Sequence, residues 1–394
     1  MRLATPYAGS VTFLPDPSTP LSPQFTGAVG ESISDFLDRQ SAILARMGTE
    51  TEPLQRIARS LAAGGKRLRP AFCYWGYVAA AGDPAADLRA SLVRAAASLD
   101  LLHASALVHD DVMDASDLRR GRPAAHRQFE QLHADLGFLG DPVAFGRSGA
   151  ILLGDLLLIW SMQMLHESGL GMQVLGRALP VVEEMRTEVT AGQFLDVVSQ
   201  ARDRFSYLPT DSGSDQSADD QRRLERSLDE ASRVVEYKSA RYTVRRPLQF
   251  GAALGGADER LQQQLGAFGS PIGRAFQYRD DLLGVFGDSL LTGKPTGDDL
   301  REGKRTVLVA QAIAGADPHG RKLLETQVGN PDLDADGIAE LQQVIIASGA
   351  REAVEKMIDH DHQVALQALD AAPVTDAGRT ALTALAAAAV QREF

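Results

Sequence analysis

Two clusters of aspartates have the composition and spacing of divalent-cation sites. Asp110, Asp111 and Asp114 lie in the segment HDDVMD, and Asp280 and Asp281 lie in RDDLLG. Because Asp110 and Asp114 are four positions apart, a helix would place them on one face, where like charges repel. A bound divalent cation reverses that repulsion. Sites built from a few carboxylates suit Mg²⁺, which keeps several of its waters and bridges to phosphate oxygens.

Groups of basic residues accompany the aspartates at three places in the chain. They are Lys66, Arg67 and Arg69 in LAAGGKRLRP, Arg119 and Arg120 in DLRRGRP, and Lys294, Lys304 and Arg305 in TGKPTGDDLREGKRT. Gly64 and Gly65 let the backbone approach a ligand closely, and arginine offers forked donors that fit phosphate oxygens. Any one group alone is typical of a solvated basic patch. Together with the acidic clusters, they predict a cavity for two diphosphates, one held through metal and one through cations directly.

Helices are the elements that the sequence offers to position these residues. Apolar side chains recur at helical spacing before the first acidic cluster, at Leu92, Ala95, Ala96, Leu99 and Leu102. Alanine is abundant, which favours helix, and neither an alternating strand nor a hairpin signal stands out. The pattern predicts an all-α protein.

The domain organisation is predicted from composition. Residues 1–28 are rich in Pro, Ser, Thr and Gly and are interpreted as a flexible N-terminal arm, followed by a single helical domain over residues 29–394. The segment LPTDSGSDQSADDQ at 208–221 is predicted to be a mobile loop. A second loop is predicted over roughly residues 287–303, where glycines and Pro295 interrupt the helical pattern.

Composition excludes several classes of function. The formal net charge of −12 argues against nucleic acid as a partner, and no GxGxxG or Walker loop supports nucleotide binding. Cys73 is the only cysteine, so an intramolecular disulfide and a cysteine metal site are excluded. The start of the chain does not resemble a secretory signal, and the most apolar stretch, Ala150–Trp160, covers about half a bilayer span. We therefore expect no transmembrane segment and a cytoplasmic location.

Five motifs in this order resemble one enzyme family. The segments GGKRLRP, HDDVMDASDLRRGRPAAH, EYKSARYT, FQYRDDLLGVFGD and TGKPTGDDLREGKRT are similar to those of the trans-isoprenyl diphosphate synthases, in particular geranylgeranyl diphosphate synthases. The resemblance runs from about residue 30 to the C-terminus. It implies an isoprenoid synthase-type helical bundle around a central cavity, a homodimer, and condensation of isopentenyl diphosphate with dimethylallyl, geranyl or farnesyl diphosphate.

The resemblance assigns a role to each motif residue. Magnesium, as three ions with substrate bound, would be held by Asp110, Asp114 and Asp280. Asp111 and Asp281 would be supporting ligands, or would contact the ligands without binding the metal themselves. Isopentenyl diphosphate would be bound by Lys66, Arg69, His103 and Arg120. The allylic substrate or its leaving diphosphate would be contacted by Arg119, Lys238, Ser239, Gln277, Lys294 and Lys304. The catalytic set would be Asp110, Asp114, Lys238, Gln277 and Asp280, while Gln193 and Asp196 match a helix that faces the cavity.

Two positions depart from the family pattern. Gly284 stands where a third aspartate is usual in the second acidic motif, and Asp288, four residues further on, could compensate structurally. Ser239 stands where threonine is common, but it keeps the hydroxyl group.

The product length is predicted from the residues one helical turn before Asp110. Ser105 and Ala106 are both small, whereas farnesyl-forming relatives place an aromatic ring there. The growing tail should then reach Leu102 and Leu99, which predicts a product longer than farnesyl, with C20 geranylgeranyl diphosphate first and longer polyprenyl diphosphates as the alternative.

Two other classes of protein share part of this motif set. A class I terpene cyclase would also carry a DDxxD motif but would lack GGKRLRP. A non-catalytic regulatory subunit should have lost aspartates that this chain keeps.

Overall fold

Helices form nearly all of the regular structure in a computed structural model that describes residues 15–201, 216–287 and 296–391, without the side chains of 216–224. The all-α prediction is confirmed. The helices are α1 Pro23–Leu44, α2 Glu52–Ala62, α3 Leu68–Ala81, α4 Ala86–Met113, α5 Ala125–Asp135, α6 Pro142–His166, α7 Met172–Ala201, α8 Gln216–Val234, α9 Arg246–Leu254, α10 Glu259–Phe286, α11 Asp298–Glu302, α12 Val307–Gly315, α13 Pro318–Gln327, α14 Ala335–Ala347, α15 Ala350–Ala371 and α16 Asp376–Val390. A π-helical segment, Val235–Arg245, lies between α8 and α9.

The described residues group into two compact units. Unit 1 contains the described residues up to Glu183, with Arg246–Gly266 and Leu369–Leu385. Unit 2 contains the described residues of Glu184–Arg245, with Ala267–Ala368 and those from Ala386 onward. The prediction of a single domain over residues 29–394 stays a prediction.

Unit 1 is built around α4, most of whose apolar side chains are buried. This helix packs against α1, α3 and α6, and α3 packs against α9. Glycines make the α3–α9 contact close: a Cβ added at Gly251 would lie 2.6 Å from the carbonyl carbon of Cys73. Cys73 itself is fully buried. Because interiors are close-packed, this contact fixes α3 and thereby the start of its first turn, where the basic motif lies.

The N-terminal boundary predicted from sequence was wrong. Helix α1 begins at Pro23, and the side chain of Ser22 accepts the hydrogen bond that caps it. Phe25 is 1% exposed, and Trp75 Nε1 donates to the carbonyl of Pro20 at 3.2 Å. Residues 23–28 are therefore packed helix, because an aromatic anchor outweighs the Pro- and Ser-rich composition around it. Residues 1–14 lie outside the described residues.

Two other local predictions need correction. Residues 216–221 of the predicted mobile loop belong to α8, and the preceding 208–215 lie outside the described residues. The predicted loop over 287–303 contains the short helix α11, while 288–295, including Asp288, lie outside the described residues.

A small antiparallel hairpin also escaped prediction. Leu118–Arg119 (β1) pairs with Arg122–Pro123 (β2). The strands are two residues each, too short to show an alternating pattern.

Among the described helices, α4 and α6 have the length and apolar composition that a membrane-crossing helix needs. In α4, 78% of the most apolar window is buried, as in a core helix. In α6 the buried share is 33%, and Ile151, Leu152 and Ile159 are exposed. The helix thus extends well beyond the apolar stretch Ala150–Trp160, and the expected lack of a transmembrane segment stays a prediction.

Unit 2 packs apolar side chains of α10 and α12–α15 into one core, with Leu282, Leu308 and Leu341 fully buried. The π-helical segment lies against neighbours that carry glycines. A Cβ added at Gly192 of α7 would lie 2.6 Å from the carbonyl carbon of Tyr237, and one at Gly273 of α10 would lie 2.5 Å from Cα of Ala240. π-Helical turns are frequent at functional sites, and this one carries Lys238 and Ser239.

Candidate active site

The first acidic cluster lies at the C-terminal end of α4, in unit 1. Asp110 and Asp111 are in the last turn of the helix, and Asp114 caps it by donating its backbone N–H to the carbonyl of Asp110 at 2.8 Å. Asp111 points inward and is fully buried, whereas the side chain of Asp110 is 18% exposed. Asp111 therefore faces the protein interior, whereas Asp110 and Asp114 are the two carboxylates expected to face a ligand.

Arg119 binds the inward-facing carboxylate. Its Nε donates to Asp111 Oδ1 at 2.9 Å, and its Nη2 donates to the same oxygen. The same Nη2 lies 3.8 Å from Asp110 Oδ2. Asp111 was expected either to support the metal as a ligand or to contact the ligands from behind. In this structure it orients Arg119, and Arg119 lies beside the first carboxylate of the motif.

Arg120 lies at the tip of the hairpin and is held over the glycines of the basic motif. Arg120 and Gly121 both have positive φ, 54° and 71°, as a tight two-residue hairpin turn requires. Arg120 Nη1 donates to the carbonyl of Leu61 at 3.3 Å. A Cβ added at Gly64 or Gly65 would lie 3.1 or 3.2 Å from the Arg120 guanidinium. Because neither glycine has a side chain, the Arg120 guanidinium packs directly against the loop backbone.

Arg67 turns inward rather than toward a ligand. It begins α3 with φ of 55°, its Nη1 donates to Asp100 Oδ2 at 2.7 Å, and its Nη2 donates to the carbonyl of Ala62. Burial raises the pKa of Asp100, and the charge of Arg67 opposes that effect. Arg67 therefore fixes the basic loop to α4 through a largely buried ion pair, while the neighbouring Lys66 is exposed.

His103 lies on α4 one turn after Asp100, within the influence of four guanidinium groups. Burial lowers the pKa of His103 well below its ordinary value, and the charges of Arg69, Arg120, Arg119 and Arg67 lower it further. We call these five residues the cationic cluster. It brings together all the residues predicted to bind isopentenyl diphosphate except Lys66, and it offers a positive potential suited to a polyanion.

In unit 2, the predicted cation Lys238 is paired with a predicted neighbour. Lys238 Nζ lies 2.7 Å from Asp196 Oδ2. Both side chains are largely buried, at 22% and 11% exposure. Gln193 lies nearly one turn earlier on α7, partly buried, and Ser239 lies partly buried beside Lys238.

The second acidic cluster lies on α10, and its inner carboxylate is incompletely bonded. Gln277 Nε2 donates to Asp281 Oδ1 at 2.8 Å, while Asp281 Oδ2 is buried and has no hydrogen-bond partner. Burial raises the pKa of Asp281 to about 8, and Asp299 and Asp280 raise it as well, against the effect of the Gln277 hydrogen bond. A buried carboxylate oxygen without a partner is costly, and a bound cation would remove that cost.

Lys304 lies close to this cluster. Its Nζ lies 3.3 Å from Asp299 Oδ1 and 2.6 Å from Glu302 Oε2, and its charge lowers the pKa of Asp281. We call Gln277, Asp280, Asp281, Asp299 and Lys304 the α10 site. Lys294, which was predicted to contact the allylic substrate, lies outside the described residues.

Three residues of these sites were not predicted from the sequence. Asp100, Asp299 and Glu302 each pair with a cation of a basic motif. Asp299 and Glu302 lie within TGDDLREGKRT and could have been suspected from that motif. Asp100 carries no local signal, except that it lies on the same helix face as His103 and Asp110.

The donor set fits a hard divalent cation. Among the described residues, no three histidine, cysteine or carboxylate side chains form a closed metal site. The donors that the acidic clusters offer are carboxylate oxygens, and Mg²⁺ binds through one or two carboxylates plus waters and substrate phosphates. The unpartnered Oδ2 of Asp281 leaves a buried acceptor in the α10 site whose bonding a cation would complete.

Comparisons with known proteins identify the family to which the chain belongs. Residues 51–345 match the family model described as polyprenyl synthetase. The chain is 30% identical over 321 residues to a geranylfarnesyl diphosphate synthase of Aeropyrum pernix, covering 80% of this chain and 86% of that one. It is 33% identical over 270 residues to a geranylgeranyl diphosphate synthase of Methanosarcina mazei, covering 67% and 69%.

A solved structure is also similar. It is the geranylgeranyl pyrophosphate synthase from Corynebacterium glutamicum complexed with isoprenyl diphosphate and magnesium. The TM-score is 0.84 at 38% identity, covering 94% of this chain and 99% of that one. The resemblance inferred from the motifs and the predicted isoprenoid synthase-type fold are both confirmed.

Proposed function

Because the chain belongs to the polyprenyl synthetase family and is a trans-prenyltransferase, we propose that its acidic and cationic clusters carry the condensation and that its main product is C20 geranylgeranyl diphosphate. One observation carries the assignment of residues. His103 of the cationic cluster and Asp110 lie on one helix, α4, which Asp114 caps, and Arg119 lies beside Asp110. That arrangement supports one diphosphate held by cations next to another held through metal.

The metal proposed is Mg²⁺, as three ions when substrate is bound. We assign Asp110, Asp114 and Asp280 as the residues that would hold it, with Asp281 in support. When bound, the ions would neutralise the negative charge that develops on the allylic diphosphate as it leaves. The all-oxygen donor set and the unpartnered oxygen of Asp281 support this choice of metal.

The predicted basic residues and His103 divide between the two substrates. Lys66, Arg69, His103 and Arg120 would hold isopentenyl diphosphate. Arg119, Lys238, Lys294 and Lys304 would contact the allylic diphosphate. Cations aimed at the oxygens where negative charge develops stabilise the transition state more than the ground state.

The proposed condensation breaks one bond of the allylic substrate and forms one carbon–carbon bond. The allylic C–O bond breaks and its electron pair stays on the diphosphate. The double bond of isopentenyl diphosphate then forms the new C–C bond, and a proton leaves the adjacent carbon. Backbone carbonyls near Lys238, together with Ser239 and Gln277, would face the allylic cation. The motifs offer no obvious side-chain base, so the released diphosphate is the proposed proton acceptor.

The proposed product length rests on the side of α4 that precedes Asp110. Ser105 is 3% exposed and Ala106 is partly buried, while Leu102 and Leu99 lie buried one and two turns earlier. Small side chains leave room for a tail, and the leucines would end it. Sequence identity alone does not decide the length, because relatives of similar identity are named for different products.

Incubation of the purified protein with isopentenyl diphosphate and farnesyl diphosphate, with and without Mg²⁺, tests the proposal. We expect a magnesium-dependent C20 product by mass spectrometry. A ladder beyond C20 would keep the reaction and reject the product length. Consumption of farnesyl diphosphate alone would indicate a terpene cyclase, and inactivity with every allylic starter would indicate a regulatory subunit. An Asp110→Ala, Asp114→Ala enzyme with full turnover would contradict the metal assignment.

We propose a cytoplasmic homodimer. The exposed apolar side chains of α6, among them Ile151, Leu152 and Ile159, support an interface on this helix. Light scattering after size-exclusion chromatography should give twice the chain mass, and Leu152→Asp with Ile159→Asp should give a monomer. A monomeric unsubstituted protein would contradict the dimer, while recovery in the membrane fraction of a lysate would contradict the location.

A further inference from the structure

Gly284 and Asp299 compete for the same space in the α10 site. A Cβ added at Gly284 would lie 2.5 Å from Asp299 Cγ and closer still to its Oδ2. The three atoms nearest to that Cβ all belong to Asp299. Gly284 lies inside a regular helix, so space rather than backbone conformation calls for glycine there. The carboxylate of Asp299 thus occupies the position from which a side chain at 284 would project.

The neighbourhood of this carboxylate is an incomplete acidic site. Asp281 is 4% exposed, and its Oδ2 has no partner. Asp299 lies against Gly284, which is nearly one helical turn after Asp281 on α10. The unpartnered oxygen is independent of Asp299 and indicates a cation at this place.

Asp299 also reaches the cation that follows it in the chain. Its Oδ2 points at Gly284, while its Oδ1 lies 3.3 Å from Lys304 Nζ. Lys304 donates its backbone N–H to the carbonyl of Asp299 at 3.1 Å. The short helix that carries Asp299 is fixed by the fully buried Leu300. One side chain thereby connects the carboxylates of α10 to a predicted diphosphate ligand.

We propose that Asp299 replaces the carboxylate that residue 284 lacks, acting as a positioning residue that completes the α10 site and holds Lys304 toward it. This inference rests on the proposed assignment of Asp280 and Asp281 to a metal-bound diphosphate. In this proposal the carboxylate comes from α11, the helix that follows α10 in the chain, and not from α10 itself.

Moving the carboxylate back to residue 284 tests the proposal. The variants are Asp299→Gly, Gly284→Asp and the double variant, with Asp332→Gly as a control for loss of an exposed aspartate. The readout is the dissociation constant of Mn²⁺ at saturating inorganic pyrophosphate, followed by the free-ion signal in electron paramagnetic resonance. Thermal denaturation reports folding of each variant.

Asp299→Gly should weaken Mn²⁺ binding about 10- to 100-fold, the usual cost of losing a supporting carboxylate. Gly284→Asp alone should lower the denaturation midpoint, because its side chain meets Asp299. The double variant should regain most of the Mn²⁺ affinity, as coupled neighbours do.

A double variant that binds no better than Asp299→Gly would overturn the proposal, as would unchanged binding by Asp299→Gly. The Asp280→Ala variant distinguishes failure of the metal assignment from failure of the role of Asp299 alone. If it too binds Mn²⁺ normally, the metal assignment itself fails. If it binds weakly while Asp299→Gly binds normally, only the role of Asp299 fails.

Discussion

Lys238 Nζ lies 2.7 Å from Asp196 Oδ2, so the cation of the EYKSARYT motif meets a carboxylate of the AGQFLDV motif. Asp196 lies on α7 and Lys238 on the π-helical segment, 42 positions later in the chain. With both side chains largely buried, the pair holds the ammonium group in one position before substrate arrives. Preorganised charge of this kind is what stabilises a leaving group without reorganisation.

Asp196→Asn should therefore lower kcat/KM for the allylic diphosphate about 10- to 100-fold, the worth of a charge-assisted hydrogen bond. Asparagine keeps the shape but loses the charge that orients Lys238. Steady-state kinetics with the allylic substrate varied would measure the effect, and Asp229→Asn on the exposed face of α8 is the matched control. Equal kcat/KM in the variant and the unsubstituted enzyme would reject the orienting role of Asp196.

Much of the chemistry could be predicted from the sequence because few residue types perform it. Aspartates for a hard cation and arginines for phosphate stand out when several motifs occur together. The partners of those residues could not be predicted in the same way. Asp100 resembles any helical aspartate, and Arg67 resembles a ligand-binding arginine until its positive φ and the pair with Asp100 are seen.

The fold shows the same division. Helical periodicity follows from burial of one face, so the all-α prediction held. The π-helical segment differs from an α-helix only in its hydrogen-bond register, and no composition marks it. Its only trace in the sequence is glycine in the neighbouring helices, at Gly192, Gly269 and Gly273.

Gly192→Ala should damage both stability and activity. The added methyl would overlap the backbone of Tyr237 and Lys238, so the π-helical segment must shift. Overpacking of this kind typically costs about 1–3 kcal/mol. Gly176→Ala on the same helix is the control, because a Cβ there meets nothing within 4 Å, and it should stabilise the helix by about 0.5–1 kcal/mol. Denaturation and turnover should separate the two variants; if they behave alike, the close contact is not needed.

Ser105→Phe should shorten the product. Ser105 is 3% exposed on α4, one turn before Asp110, so an aromatic ring there would fill the space that the proposed tail needs. Product masses after incubation with isopentenyl and geranyl diphosphates measure the effect, with Ser105→Ala as the control that should keep the original length. A folded Ser105→Phe enzyme that still makes the original product would move the floor of the tunnel to another wall.

Binding of isopentenyl diphosphate should be accompanied by proton uptake at His103. Burial and the charges of Arg69, Arg120, Arg119 and Arg67 lower the pKa of this imidazole, so it is neutral in the free protein. Asp100, the carboxylate one turn away, is already paired with Arg67. A bound diphosphate offsets the positive charges and raises the pKa, so a fraction of a proton is taken up below the ordinary histidine pKa of about 6.5.

Calorimetry with isopentenyl diphosphate alone, without metal or allylic substrate, measures that uptake without turnover. Titrations near pH 6 in two buffers of different ionisation enthalpy give the number of protons exchanged. The diphosphate itself also exchanges protons, so the decisive quantity is the difference between the unsubstituted protein and His103→Gln, with His360→Gln as the exposed control. Near pH 6 the unsubstituted protein should take up more protons than His103→Gln. At about pH 8 the two proteins should exchange the same number of protons, because the imidazole stays neutral with or without ligand. Identical proton exchange by His103→Gln and the unsubstituted protein would mean that the diphosphate does not reach this imidazole.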